Sequence, residues 1–463
     1  MFVRQTIEIR PNNKQKTYFR QCFGAHRLAY NYGLREWIRL RDSGQKTNLR
    51  QIRTTFNAQK STRWPFLYRI SSSATCFAFE DLKRAFENFF RDHGKIGAGN
   101  NQRLTGFPQP KSKSFSEGSY TEYFSADGKT GGPVITDHRV TAKDIKCSTG
   151  AYGTKLKDCP KADNANQQKP YLRLPRIGTV RMMRPLRYEG RPVSVTIRQK
   201  NERFYACFLI EITEKEFYRV HPRYKQKPKG AVGIDLGIKE LAVTSDGILI
   251  ENQRFMERRL DHENRLQARM NHCKGKGHKK KPSKRFLKAK QKLWRLRTRI
   301  RCQREDLRNK LCAIILSNYQ HIGIETLDIK KMGEDIKNLT RKKKLRLHLC
   351  DVSLYEIRHR LETIGELLGR HVVAAPSNYQ STRRCSQCGH VEPVMRLDQR
   401  TYICHKCGLT IDRDLNAAIN LKKLTGRGTS SSTAETNPMC SELIKSNIKH
   451  RIIGDGQEVG TRS

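Results

Sequence analysis

A chain of 463 residues with 36% hydrophobic content can bury a core and divide into two or more domains, which excludes a wholly disordered protein. Lys and Arg number 92 against 44 acids, a net charge of +48 that exceeds what solubility requires and points to a polyanionic ligand, nucleic acid by default. No run of eighteen apolar residues occurs and Met1 to Arg10 lacks a signal-peptide core, so neither a membrane partner nor export is expected.

The first strand is predicted at Phe2 to Ile9. After Pro11, the residues Phe19, Phe23, Ala25, Leu28, Tyr32, Leu34 and Ile38 recur at helical spacing until Ser43-Gly44. A second helix is predicted from about Ser71 to Asp92, with Phe77, Phe79, Leu82, Phe86 and Phe89 on its core side. Residues 94–169 are rich in Gly, Ser, Asn, Lys and Pro and read as an irregular insertion. Alternation then predicts strands at Tyr171 to Leu174, Thr179 to Met182, Val193 to Arg198 and Arg203 to Ile212, which are expected to form a small barrel with the first strand.

A Pro/Lys linker at 221–229 precedes the apolar strand Ala231 to Gly237, and strands at Leu241 to Thr244 and Ile248 to Ile250 complete a meander around the turn Ser245-Asp246-Gly247. From Asn264 to Arg304 there is no acid, and Lys279, Lys280, Lys281, Lys284, Arg285, Lys288, Lys292 and Arg295 are candidate phosphate contacts. From Phe286 onward, Leu287, Leu293, Leu296 and Ile300 predict a basic amphipathic helix with one packed face. The sequence beyond Leu424 is Gly/Ser/Thr-rich and is predicted to be disordered.

Two stretches carry chemistry. Cys385-Ser386-Gln387-Cys388 and Cys404-His405-Lys406-Cys407 have the paired spacing of a four-thiolate zinc ribbon, and Gly389 and Gly408 suit the turn each knuckle needs. The other ten cysteines show no regular spacing, which is reduced, intracellular usage. The second stretch is distributed: Asp235 ends one apolar strand, Glu325 ends another at His321 to Glu325, and Asp414 opens a final amphipathic helix carrying Leu415, Ala418, Ile419 and Leu421. If the two strands are parallel neighbours, their carboxylates meet beyond the strand ends under that helix. Three such acids suit two magnesium ions, with manganese as a substitute, and hence phosphodiester hydrolysis.

Gly233-Ile234-Asp235-Leu236-Gly237, Gly323-Ile324-Glu325, Ser381-Thr382 before Cys385, and Asp412-Arg413-Asp414-Leu415-Asn416-Ala417-Ala418 resemble the split RuvC nuclease of the transposon-encoded TnpB family, ancestral to type V CRISPR nucleases. Gly24 to Asn31 and Leu174-Pro175-Arg176-Ile177-Gly178 also look like that family's amino-terminal signatures. The resemblance implies a multidomain α+β and α/β protein. Its β-barrel wedge domain would take 1–10 and 94–228, and a helical recognition insert 11–93. An RNase H-like RuvC domain would take 229–381, including a basic helical region at 252–318. The zinc ribbon would span 382–408, the last RuvC helix 409–424 and a tail 425–463.

The implied activity is cleavage of double-stranded DNA beside a short target-adjacent motif, directed by a guide RNA derived from a transposon end or a CRISPR array. Asp235, Glu325 and Asp414 would be the catalytic, magnesium-binding acids, with Asp412 left as a helix cap. The implied location is the prokaryotic cytoplasm, at the nucleoid when acting, or the nucleus of a eukaryote. A guided repressor would have lost one acid, and all three are present. Single-strand transposases need two histidines two residues apart, and none of the 14 here are so placed.

Overall fold

Asn12 starts the first long helix by a capping box: its side chain accepts from the Gln15 backbone N–H, and the Gln15 side chain accepts from Asn12 N–H. The computed structural model that shows this describes residues 1–93, 106–113, 118–124, 132–136, 170–200, 202–226, 228, 230–273, 283–326, 345, 347–349, 351–376, 378–395, 399–426, 438–446 and 448–453. Most of the insertion at 94–169, the Lys279 to Lys281 run and much of the tail lie outside these residues. Two units follow one another, Met1–Val220 and His221–Ser463.

In the first unit, β1 (Phe2–Arg10) lies at the centre of a seven-stranded antiparallel sheet. The other strands are β2 (Ser119–Tyr123), β3 (Val134–Thr136), β4 (Tyr171–Leu174), β5 (Gly178–Met182), β6 (Arg191–Lys200) and β7 (Arg203–Glu211), in the order β2-β6-β7-β1-β5-β4-β3. The 30-residue helix α1 (Asn13–Asp42) buries Phe19 and Phe23 against Tyr120 and Phe204 of the sheet. Its other side meets α2 (Leu49–Ala58) and α4 (Ser73–His93), where Tyr32 touches Phe56 and Trp37 touches Phe86, and the short α3 (Lys60–Arg63) follows α2. Strands β2 and β3 fall inside the stretch expected to be irregular, because they are short and carry few apolar residues; pairing with β6 and β4 makes them strands. Helix α5 (Glu214–Val220) ends the unit, just before the expected linker.

The second unit mixes both strand orientations. β8 (Gly230–Leu236), β9 (Glu240–Thr244) and β10 (Ile248–Glu251) form the expected meander, while β11 (Tyr319–Ile324) joins β8 in parallel and β12 (His371–Ala374) joins β11 in parallel. Helix α6 (Leu260–His272) runs against α7 (Lys284–Asn318), which Ser283 caps, and Arg297 of α7 holds Glu263 at 2.7 Å. The packed register of α7 begins with Ala289, Leu293 and Ile300, and Leu287, expected on that face, is out of phase with it and 49% exposed. Helix α8 (Leu354–Leu367) leads into β12, and a small hairpin of β13 (Thr401–Ile403) and β14 (Thr410–Asp412) precedes α9 (Arg413–Lys423).

The tail is not wholly disordered as expected. Helix α10 (Pro438–Lys445) buries Met439 and Leu443, and β15 (His450–Ile452) completes the sheet order β12-β11-β8-β9-β10-β15 by pairing with β10. Short apolar groups between polar residues are enough when an open sheet edge and a helix surface receive them. No helix among the described residues is long and apolar enough to cross a membrane.

Candidate active site and metal centre

Helix α9 lies directly on the backbone of the central strands. A Cβ on Gly233 of β8 would collide with the Ala418 carbonyl and the Lys422 amide, and one on Gly323 of β11 would collide with the Leu421 carbonyl. The two glycines therefore admit a close helix-to-sheet approach that any side chain would block. The far end of the helix is tied by a buried ion pair: Lys422 Nζ lies 3.8 Å from Asp246, whose other oxygen accepts from Tyr319 Oη at 2.6 Å. Asp246 thus does more than shape its turn.

That approach brings the three acids together. Asp235 is the penultimate residue of β8, Glu325 follows β11 directly, and these strands are parallel neighbours. Burial pushes the Asp235 carboxyl far above the usual range, and the charges of Glu325 and Asp414 push the same way; Asp235 and Glu325 share a hydrogen bond. Glu325 is also raised, by burial first, although the bonds from Asp235 and Ser381 pull it back before the Asp414 charge raises it again. The Ser381 hydroxyl lies 3.5 Å from Glu325 Oε1.

Asp414 stands in the first turn of α9, and Asp412 caps that helix by accepting from the amides of Asp414 and Leu415 at 2.9 and 3.0 Å. Two guanidiniums hold the Asp414 carboxylate, Arg413 at 3.0 Å and Arg400, beside β13, at 3.2 Å. Arg413 also acts on Asp235, but too weakly to offset burial and the neighbouring acids, so the inner pair gathers oxygen donors whose ionisation a hard divalent cation would favour. Magnesium fits this donor set.

The four cysteines gather just before α9, with Cys404 and Cys407 between β13 and β14. Cys385 and Cys407 sulfurs lie 3.6 Å apart, as do those of Cys388 and Cys404, and all four lie within 4.8 Å of one another. A tetrahedron of thiolates around zinc has edges of about 3.8 Å, whereas a disulfide would need about 2.05 Å. The cluster can hold a metal ion. Gly389 and Gly408 take φ of +75° and +74°, the positive values their knuckles require.

Two buried asparagines couple this cluster to α9, and sequence reasoning missed their roles. Asn416 donates to the Arg384 carbonyl at 2.7 Å and accepts from the Ser386 amide at 2.8 Å, while Asn420 donates to the Ser381 carbonyl at 2.9 Å. Glu392 links the knuckles, accepting from His405 N–H at 3.0 Å and lying 2.9 Å from its Nδ1. An asparagine inside a helix, where it is a poor helix former, was the available signal. Among the predicted phosphate contacts, Lys284, Arg285, Lys288, Lys292 and Arg295 are all exposed on α7.

Three family profiles match parts of the chain. The family profile OrfB_IS605, described as "Probable transposase", matches residues 208–335, and the Cas12f1-like TNB domain profile matches 355–421. A profile described as a helix-turn-helix domain matches 3–46, where this chain has a strand and one unbroken helix. The chain is 24% identical to "Putative RNA-guided DNA endonuclease InsQ" of Escherichia coli over 90% of each chain. It is 26% identical to a "Putative RNA-guided DNA endonuclease" of Streptomyces pristinaespiralis, covering 89% of this chain and 86% of that one. It is also 28% identical to the mimivirus "TnpB-like protein L79" over 44% of this chain and 39% of that one. The profiles and the relatives named as RNA-guided endonucleases and TnpB-like proteins together support a TnpB-family protein.

Proposed function

We propose that this protein is an RNA-guided DNA endonuclease that cuts double-stranded DNA beside a short adjacent motif. The observation that carries the reading is the convergence of Asp235, Glu325 and Asp414 on one electrostatically frustrated site at the ends of parallel strands. In this reading the second unit is a RuvC-like nuclease, and the seven-stranded unit is the wedge with its helical insert.

Asp235, Glu325 and Asp414 would hold magnesium, which when bound supplies Lewis-acid stabilisation of the charge that develops on the scissile phosphodiester. Arg400 and Arg413 orient Asp414, and Ser381 orients Glu325. Cys385, Cys388, Cys404 and Cys407 would hold one structural zinc, which steadies the knuckle that Asn416 and Asn420 grip. The +48 charge suits a channel for a structured RNA and a heteroduplex recognised through its backbone.

The test is plasmid cleavage with matched and mismatched targets, with and without the copurifying RNA, with magnesium or chelator. Cutting is expected only with RNA, a matched target and magnesium. Site-specific cutting by RNA-free protein would leave an unguided nuclease, and guided binding without cutting would leave a repressor.

A further inference from the structure

Trp294 stands out on the basic helix. Hydrophobic side chains on α7 are otherwise mostly packed, yet Trp294 is 38% exposed and Leu287, seven residues earlier, is 49% exposed. Leu287, Lys290, Trp294 and Arg301 follow the i, i+3, i+7, i+14 spacing of a single helix face, away from the register of Ala289, Leu293 and Ile300 that packs inward. The Lys290 ammonium lies over the indole ring, 4.8 Å from its centroid. The ring is therefore open to a planar or cationic partner, with an ammonium already beside it.

The surroundings identify the partner's chemistry. No acid occurs between Asn264 and Arg304, and Lys288, Lys292, Arg295, Arg299 and Arg301 are exposed on the same helix. A protein partner offering an apolar groove would have to tolerate that charge; a polynucleotide needs it. Indole faces stack on nucleobases whatever their sequence, provided the base is unpaired. We propose that Trp294 is a stacking platform for an unpaired nucleobase, so that α7 binds single-stranded polynucleotide by a base on the ring and phosphates on the flanking cations. A base that takes the place of Lys290 on the ring frees that ammonium for the phosphate of the same nucleotide. This rests on the nucleic-acid reading above and adds a site to it.

Stacking and ion release have different signatures. A lost phosphate contact flattens the dependence of affinity on salt, whereas a lost stack weakens binding at every salt concentration by the same factor. The experiment measures binding of short labelled oligouridylate and oligothymidylate to the full-length protein across a salt series, for the wild type, Trp294→Ala, Trp294→Phe and Lys288→Ala. Trp294→Ala is expected to weaken one or both ligands by roughly tenfold or more with an unchanged salt slope. Trp294→Phe should recover most of the loss, and Lys288→Ala should lower the slope by about one.

A 2-aminopurine base in the probe should be quenched by the wild type and not by Trp294→Ala. Whichever polymer shows the Trp294 dependence identifies the strand bound, RNA or DNA. Equal affinity of Trp294→Ala and wild type for both, or a reduced slope in Trp294→Ala, overturns the proposal. Guided cleavage by the wild type, assayed separately, tells that failure from a failure of the nuclease reading.

Discussion

The two polar clusters of the second unit are held in opposite ways. The cysteines come from a span of 23 residues, 385–407, and their sulfurs already stand at 3.6 Å across pairs, so local turns alone bring them together. The carboxylates come from positions 235, 325 and 414, and each opposes the ionisation of Asp235, so the pairing of β8 with β11 and the docking of α9 on both strands are needed to hold them in one place. One cluster is made by the chain's local geometry and the other against its own electrostatics. The energy stored in the second is available to a cation.

The sharpest way to break the comparison is to remove an acid. Asp235→Asn and Glu325→Gln should each cut metal-dependent cleavage by roughly a thousandfold or more, because several kcal/mol of charge stabilisation is lost. Asp235→Asn should at the same time raise the melting temperature of metal-free protein near neutral pH, since it removes a carboxyl whose ionisation is opposed by burial first and by Glu325 and Asp414 next. Thermal melts in chelator and plasmid assays in magnesium check both. A metal-free protein destabilised by Asp235→Asn would mean the site is not under electrostatic strain.

The docking can be broken instead of the acids. Gly233→Ala and Gly323→Ala place a Cβ against the backbone of α9 and should cost about 3 kcal/mol through overpacking, with cleavage falling close to the acid variants. The cysteines should still retain their metal. Retained cleavage in both glycine variants would show that α9 does not need that close approach.

Removing the other cluster should do less to the sheet. Cys404→Ser is expected to lose one equivalent of bound zinc by elemental analysis and to unfold the knuckle, lowering cleavage through loss of order near Asp414. Asn416→Ala should cost about 1 to 3 kcal/mol by removing the acceptor of the Ser386 amide and one of the two donors to the Arg384 carbonyl, the other being Asn420, and should weaken cleavage with zinc still bound. Active protein containing no zinc would refute the assignment of the metal.

The same contrast decides what could be read in the sequence. The knuckles were legible because spacing and glycines at positive φ are local facts, and Asp235, Glu325 and Asp414 were legible as acids at element ends. Their meeting depends on β8 and β11 being parallel neighbours, which no local pattern states. The purpose of Gly233 and Gly323 was invisible until α9 was placed, since a glycine in a strand says only that something comes near. Asp246 looked like a turn residue because its partners, Tyr319 and Lys422, lie far away in sequence. β2, β3 and β15 escaped for a related reason: each is too short to show alternation and is a strand only through its neighbour.

A partly exposed acid in the first unit sharpens the comparison, because its partners outweigh the effect of burial and those of Asp235 do not. Asp81 on α4 lies 3.1 Å from His26 Nε2 and 3.1 Å from Lys111 Nζ, which in turn sits over the Tyr30 ring. Burial alone would raise its pKa, but the bond from His26 and the Lys111 charge outweigh it and hold the carboxyl at about 2, below its ordinary 3.8. A depressed carboxyl stabilises the fold above the unfolded value and loses that contribution as pH falls through the folded one. The helices around Asp81 should therefore lose stability between about pH 4 and pH 2. Asp81→Asn should flatten that part of the curve while leaving cleavage at neutral pH nearly unchanged. The effect is the smallest of the set, since Asp81 is 39% exposed and solvent screens its partners. Circular dichroism of acid titrations for both proteins measures it; identical acid profiles would show that the His26 and Lys111 contacts do not hold the carboxylate.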